Sequence, residues 1–242
     1  MLNFETEISF YELRKYWIKG ATLPVLHCGA HLGEERFLYF EFQMLPVTWI
    51  ESGPHLINTL RQNVMQLPCQ NVIEATLWSA SNVKMELNVT NNSFSSSLLN
   101  LEAASYLYPE ISITESIEVL TTAIDDLEIP RQSLDGGLLV LDLQGVELEV
   151  LKGAVKTLNQ FNYILCEVSN VEMYRHQPLW PEINDFLKFH SFTLIDFQID
   201  EEKGWGNALY RKGRARIFDS IVRKRRQLAR KNTMQKIFDV RR

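Results

Sequence analysis

The chain has 242 residues, 45% hydrophobic and 23% charged, a balance that excludes a disordered or fibrous polypeptide and suits one α/β domain with some decoration. Three widely spaced cysteines, Cys28, Cys69 and Cys166, exclude a disulfide framework and a CxxC metal or redox motif. The net charge of −5 conceals two parts: residues 1–210 hold 12 Lys/Arg against 28 Asp/Glu, and residues 211–242 hold 13 against 2, so an acidic body carries a basic tail.

In chain order, Ser9 and Glu12 fit a capping box that opens a first helix, and Gly20 would stop it. The apolar run 24–28 reads as a buried strand, followed by a helix over 34–42, a strand over 47–50 and a helix over 54–67. Further strands are expected over 71–77, 83–89 and 117–122, with an Asn/Ser-rich loop over 91–97. Residues 138–141, Leu-Leu-Val-Leu, give the strongest buried-strand signal, and apolar residues at 146, 150, 151, 154 and 158 predict a helix over 145–158. A strand over 163–168, a helix over 181–190 and strands over 192–197 and 207–210 close the pattern. Strands alternating with helices predict a mostly parallel, doubly wound sheet. We expect an N-terminal helix over 1–20, a Rossmann-like domain over 21–212 and a basic helical tail over 213–242.

Four stretches could carry chemistry. In His27-Cys28-Gly29-Ala30-His31-Leu32-Gly33 a strand runs through a Gly turn into a helix, which lets the backbone approach a ligand closely. Glu51 ends the second strand 22 residues after Gly29, the place where an acid in a nucleotide-binding α/β unit takes the ribose hydroxyls. The dinucleotide fingerprint wants a third glycine where this chain has Arg36, and Glu34 and Glu35 suit a cationic ligand better than a pyrophosphate. Asp142 directly follows the Leu-Leu-Val-Leu strand, at the edge where open α/β sheets bind ligands. Glu167 ends the next strand, with Tyr174, Arg175 and His176 in the loop beyond it. His27 and His31 have no third ligand nearby, so no zinc site is expected.

With these residues in view, the stretch 24–210 resembles the FkbM family of S-adenosylmethionine-dependent methyltransferases. The resemblance is carried by GAHLG at 29–33, WIESGP at 49–54, SFSSSLL at 93–99, TTAIDDL at 121–127 and above all LDLQGVELEVLKGA at 141–154. It implies a class I methyltransferase fold, Rossmann-like, with a mostly parallel sheet and a reversed final strand. It implies S-adenosylmethionine as cofactor and O-methyl transfer to a sugar, glycan or related small metabolite. Gly29, Ala30, His31 and Gly33 would line the methionine end, Glu51 with Ser52 would hold the ribose, and Leu77 and Trp78 would lie near the adenine. Asp142 and Glu147 would face the transfer site. The family usually has an acid where this chain has His27 and Gln144, and an asparagine where it has His31.

A hydroxyl is a poor nucleophile, so a base should assist: Asp142 is the first candidate, then Glu167 and His176. A divalent metal between Asp142 and Glu167 is the less favoured route. The alternatives are an NAD-dependent oxidoreductase and a non-catalytic cofactor-binding module. The N-terminal stretch lacks a signal-peptide apolar block, which reads as cytoplasmic. The tail places Ile217, Ile221, Val222 and Leu228 beside Arg223 to Arg226, a pattern suited to an anionic membrane surface, and so to the inner membrane face. The other readings of the tail are a solvated helix packed on the acidic body, and nucleic acid, which the lack of interleaved aromatics disfavours.

Overall fold

The computed structural model describes residues 22–200 and 202–213. The expected capping box at Ser9 and the basic tail from 214 onward lie outside the described residues. Seven strands form the main sheet: β1 (Val25–Cys28), β2 (Val47–Glu51), β3 (Gln70–Glu74), β7 (Gly137–Leu141), β8 (Phe161–Ser169), β9 (Phe192–Ile199) and β10 (Trp205–Lys212). Their order across the sheet is β3-β2-β1-β7-β8-β10-β9. The pairs from β3 across to β8 are parallel, while β10 is antiparallel to both β8 and β9, the reversed final strand that was expected.

The continuous apolar runs have a simple cause: both faces of the sheet are covered, so successive side chains enter different cores. In β7, Leu139 and Leu141 join one cluster with Val150 and Leu151, whereas Leu138 and Val140 join another with Leu60 and Val64. The second cluster is covered by α1 (Arg36–Glu41) and α2 (Ile57–Val64), which supply Tyr39 and Leu60. The first is covered by α4 (Glu147–Lys152) and α5 (Trp180–Phe189), which supply Leu151 and Leu187.

Beyond the carboxyl ends of the main sheet lies a smaller one. It comprises β4 (Thr76–Leu77), β5 (Lys84–Thr90) and β6 (Ile113–Thr122) in the order β4-β6-β5, with α3 (Ala104–Leu107) in the connection between β5 and β6. Here the sequence expectation needs correction in three places. The strand expected over 71–77 is two strands, since the chain leaves β2 after Glu74 and pairs Thr76 and Leu77 with β6. β6 begins at Ile113, four residues early: its exposed, charged face hides the apolar signal, and pairing with β5 defines it. The helix expected over 145–158 ends at Lys152. The Asp125 carboxylate accepts the backbone N–H groups of Lys156 and Thr157 at 2.9 and 2.8 Å and starts a separate turn there.

Register sets up the functional edge. Val25 to Cys28 pair with Leu138 to Leu141, so β1 and β7 end level, and the Asp142 N–H donates to the Cys28 carbonyl at 3.1 Å. From β1 the chain goes to β2 on one side, and the later β7 lies on the other. Strand order reverses at this point, which opens a crevice above the carboxyl ends.

Candidate active site

A cleft at this crevice is lined by the loops after β1, β2 and β7 and by the second sheet, and encloses about 990 Å³ with its open mouth included. Among the described residues, no lysine or arginine lines it.

The floor depends on Gly29. Its φ of +83° is a left-handed conformation, and a Cβ there would lie 1.8 Å from the Asp142 carbonyl oxygen. The N–H groups of Gly29 and Ala30 both donate to the Ile50 carbonyl at 3.0 Å, which seats the loop on the end of β2. Next, the His31 N–H donates to Glu51 Oε2 at 2.7 Å, while Ser52 and Gly53 N–H groups donate to Oε1 at 2.9 and 2.7 Å. Burial pushes the Glu51 carboxyl above the usual carboxylate range, against those three hydrogen bonds, which favour the charged form. A carboxylate offers about four acceptor positions. Three are taken by backbone, and the one that remains belongs to Oε2, in the cleft. Glu51 therefore both organises the loop and keeps an acceptor for a ligand hydroxyl.

Asp142, Glu167 and Glu147 gather at the ends of β7 and β8. The Gln144 side-chain N–H₂ donates to Asp142 Oδ1 at 2.8 Å and to Glu167 Oε2 at 3.2 Å. Burial first, then the charges of Asp142 and Glu147, hold Glu167 well above the usual carboxylate range, and a hydrogen bond with Asp142 adds to it. Glu147 is buried and accepts the N–H groups of Leu143 and Gly145 at 2.8 and 3.2 Å. Burial raises it to about 7. It shapes the Asp142 loop from beneath, and does not line the cleft as the resemblance implied.

The serine-rich segment forms one wall. Ser97 pairs back to Asn88 of β5, and the Asn92 side chain accepts the Phe94 N–H at the start of the turn Ser93–Ser95. His31 reaches across to this segment: its Nε2 is 2.8 Å from Ser93 Oγ, and its ring lies against Phe94 with centroids 3.9 Å apart. The other ring nitrogen, Nδ1, is 2.7 Å from Glu34 Oε1. His31 thus ties the Gly loop to the wall through its side chain and to Glu51 through its backbone.

Of the residues expected at the cofactor, Gly29, His31, Glu51, Ser52, Leu77 and Asp142 line the cleft. Ala30, Gly33 and Trp78 do not. Ala30 is buried in the second core cluster, Trp78 packs on the first, and a Cβ on Gly33 would strike Val64 at 2.6 Å, so that glycine serves loop-to-helix packing. His27 is buried against Tyr39 and Trp49, with Nδ1 2.8 Å from the Tyr39 hydroxyl, and burial lowers it to about 3. It is a neutral core group facing away from the cleft. His176 is exposed, its N–H donates to Glu172 Oε2 at 3.2 Å, and it lies outside the lining. The sequence placed Tyr174 in the loop after Glu167 and Gln144 where the family has an acid, but gave neither its role: the Tyr174 hydroxyl donates to Gln144 Oε1 at 2.8 Å, and Gln144 bridges Asp142 and Glu167. No local pattern gives these roles, because the partners come from separate loops.

Comparisons with known proteins bear on this arrangement. A family model, "Methyltransferase FkbM domain", matches residues 27–194. The chain belongs to the FkbM methyltransferase family. No curated protein sequence matches it. Among solved structures, it is similar to magnesium protoporphyrin IX methyltransferase from Synechocystis PCC 6803 with bound SAM: TM-score 0.49, 8% identity, covering 88% of this chain and 86% of that one. It is also similar to ribosomal protein L11 methylase from Lactobacillus delbrueckii subsp. bulgaricus, with TM-score 0.45, 12% identity and coverage of 88% and 81%. A third is a TehB-like SAM-dependent methyltransferase from Corynebacterium glutamicum, with TM-score 0.43, 10% identity and coverage of 83% and 84%. For this FkbM methyltransferase the nicotinamide alternative falls away. Arg36, in the place of the third glycine, opens α1 and donates from its side chain to the Gly33 carbonyl at 2.9 Å. Among the described residues no helix is long and apolar enough to cross a membrane.

Replacing Glu51 tests the ribose assignment. Glu51→Gln keeps one acceptor oxygen and loses the charge, so affinity for S-adenosylhomocysteine should fall by roughly 10-fold, about 1.5 kcal/mol for a charge-assisted bond. Titration calorimetry that returns wild-type affinity would remove Glu51 from the cofactor site.

Proposed function

We propose that this protein is an S-adenosylmethionine-dependent O-methyltransferase whose acceptor is the hydroxyl of a sugar, glycan or related neutral metabolite. The observation that carries the reading is a cleft that Glu51 and Asp142 both line, with Glu167 joined to Asp142 through Gln144 from outside the lining, and with no lysine or arginine among the described residues of its lining. Such a lining suits a cationic sulfonium and disfavours phosphate and carboxylate ligands.

The residues present fit the cofactor. Gly29 and His31 shape the loop after β1, Glu51 Oε2 offers the acceptor for a ribose hydroxyl, and Leu77 and Leu56 give an apolar flank. When bound, S-adenosylmethionine supplies an electrophilic methyl group on its sulfonium. The protein's part is to hold the acceptor oxygen in place and to take its proton. Asp142 lies at the carboxyl end of β7, in the cleft, and is the base. Glu167, held protonated beside it, donates toward Asp142 and does not compete for the substrate proton. On the facing wall the Ser97 hydroxyl donates to the Gln144 carbonyl and Ser93 Oγ pairs with His31, while the Ser96 hydroxyl accepts the Thr90 N–H and has its own proton to offer a polyol.

The test is a transfer screen with methyl-labelled S-adenosylmethionine. Neutral glycans and hydroxylated metabolites should accept label, and their phosphorylated or carboxylated counterparts should accept at least about tenfold less, as like-charge juxtaposition costs several kcal/mol. Preferential labelling of the anionic members would overturn the acceptor class. Label found on amine nitrogen and absent from hydroxyls would overturn the O-methyl assignment.

A further inference from the structure

The side chain of Gln144 sits at the centre of the Asp142 site. Its N–H₂ spans two acid side chains, Asp142 Oδ1 at 2.8 Å and Glu167 Oε2 at 3.2 Å. Its Oε1 accepts the Tyr174 hydroxyl at 2.8 Å, and its backbone carbonyl accepts Ser97 Oγ at 2.7 Å. The Tyr174 hydroxyl also reaches the Ser95 carbonyl at 3.2 Å, which links the amide to the serine-rich wall. Gln144 itself is left-handed, with φ +55°. A non-glycine residue in that region is held there by its surroundings.

Chemistry fixes which way the amide faces. The contact with Asp142 decides: the opposite orientation would set a carbonyl oxygen 2.8 Å from Asp142 Oδ1, acceptor against acceptor, whereas the Tyr174 oxygen, with one proton shared between the Gln144 and Ser95 carbonyls, accepts an N–H as readily as it donates. Burial holds the Tyr174 hydroxyl protonated far above neutral pH, so it stays a donor. The amide therefore presents a fixed pair of N–H donors to two acid groups, a place where a compact arrangement of oxygen ligands otherwise calls for a cation. A carboxylate at 144 would gather three acid side chains around one point with no N–H between them.

We propose that Gln144 is the positioning residue of the transfer site, its amide bridging Asp142 and Glu167 in the place of a divalent cation. The inference rests on the reading of Asp142 as the base. It predicts that this chain transfers methyl groups without metal and that one substitution makes the site a metal site. Gln144→Glu keeps the length and the acceptor for Tyr174 but replaces the donors with a third carboxylate. Affinity for divalent ions rises with ligand charge count.

The experiment is a calorimetric titration of Mn²⁺ into full-length protein saturated with S-adenosylhomocysteine, so that it does not depend on knowing the acceptor. Gln144→Glu should bind one Mn²⁺ at least about tenfold more tightly than wild type. Its methyl transfer should be depressed by EDTA and restored by Mn²⁺ or Mg²⁺, while wild-type transfer is unchanged by EDTA. A side chain with a purely structural role would show no such cation dependence. Wild-type protein that binds Mn²⁺ as tightly as the variant, or loses transfer in EDTA, overturns the proposal. A Gln144→Glu protein that binds S-adenosylhomocysteine but gains no Mn²⁺ affinity overturns it too. Should Gln144→Glu fail to fold, Gln144→Ala decides: removal of the bridge should still tighten Mn²⁺ binding, and wild-type affinity there refutes it. A failed acceptor screen leaves the Mn²⁺ result standing, so the two readings fail separately.

Discussion

Asp142→Asn should lower methyl transfer by about 10²–10⁴-fold, the range for loss of a positioned general base, and leave S-adenosylhomocysteine affinity near that of wild type. The substitution is chosen for what it preserves. The new amide keeps an oxygen to accept from the Gln144 N–H₂, and the backbone N–H that donates to the Cys28 carbonyl is untouched. What goes is the capacity to take a proton, together with the second acceptor oxygen that Glu167 faces. Glu167→Gln is the companion measurement, because the amide mimics the protonated form that burial and the Asp142 charge impose on Glu167. It should cost less than about tenfold, as no proton-accepting group is lost. If Glu167→Gln abolishes transfer and Asp142→Asn does not, the two roles are reversed. A single-turnover assay with pre-bound labelled cofactor separates these outcomes from changes in binding.

Gly29→Ala should destabilise the fold by roughly 4 kcal/mol or more, the exceptional range reserved for backbone strain and core overlap. Two independent costs meet here. The conformation is left-handed, and the added Cβ would fall 1.8 Å from the Asp142 carbonyl oxygen and 2.8 Å from its carbon, both backbone atoms that cannot swing aside. Relief requires β1 and β7 to part at their carboxyl ends, which breaks the sheet where the cleft is built. Gly136→Ala is the control. Its φ is also positive, +73°, but its Cβ would meet only the side-chain amide of Asn162 at 3.2 Å. The strain alone, about 1–2 kcal/mol, should remain there. Urea melts of the two variants check this. Equal midpoints would show that the Gly29 approach is looser than the geometry states.

Both glycines stand in the sequence as the same letter, and only one of them holds a cleft together. What the linear chain settles on its own are the elements whose signals are local or strictly periodic. The runs 24–28 and 138–141 had to be buried strands, since a chain apolar at every position needs both faces covered. Glu51 and Asp142 announce themselves as charged residues at the ends of such runs, which the register of parallel strands turns into neighbours on one edge. What remained for the folded chain to decide depended on partners distant in sequence. β6 lacks an apolar stripe and exists through pairing with β5. His27, read beside the glycines, points into a core because strand alternation sends it to the Tyr39 face. His176 stays at the surface, while Tyr174, two residues before it, turns inward to Gln144. The bridge that Gln144 makes between Asp142, Glu167, Tyr174 and Ser97 joins loops up to 47 residues away from it along the chain. Periodicity and propensity act over a turn or a strand. Hydrogen bonds at the edge of a sheet are set by which loops the topology brings together, and that is a property of the tertiary fold alone.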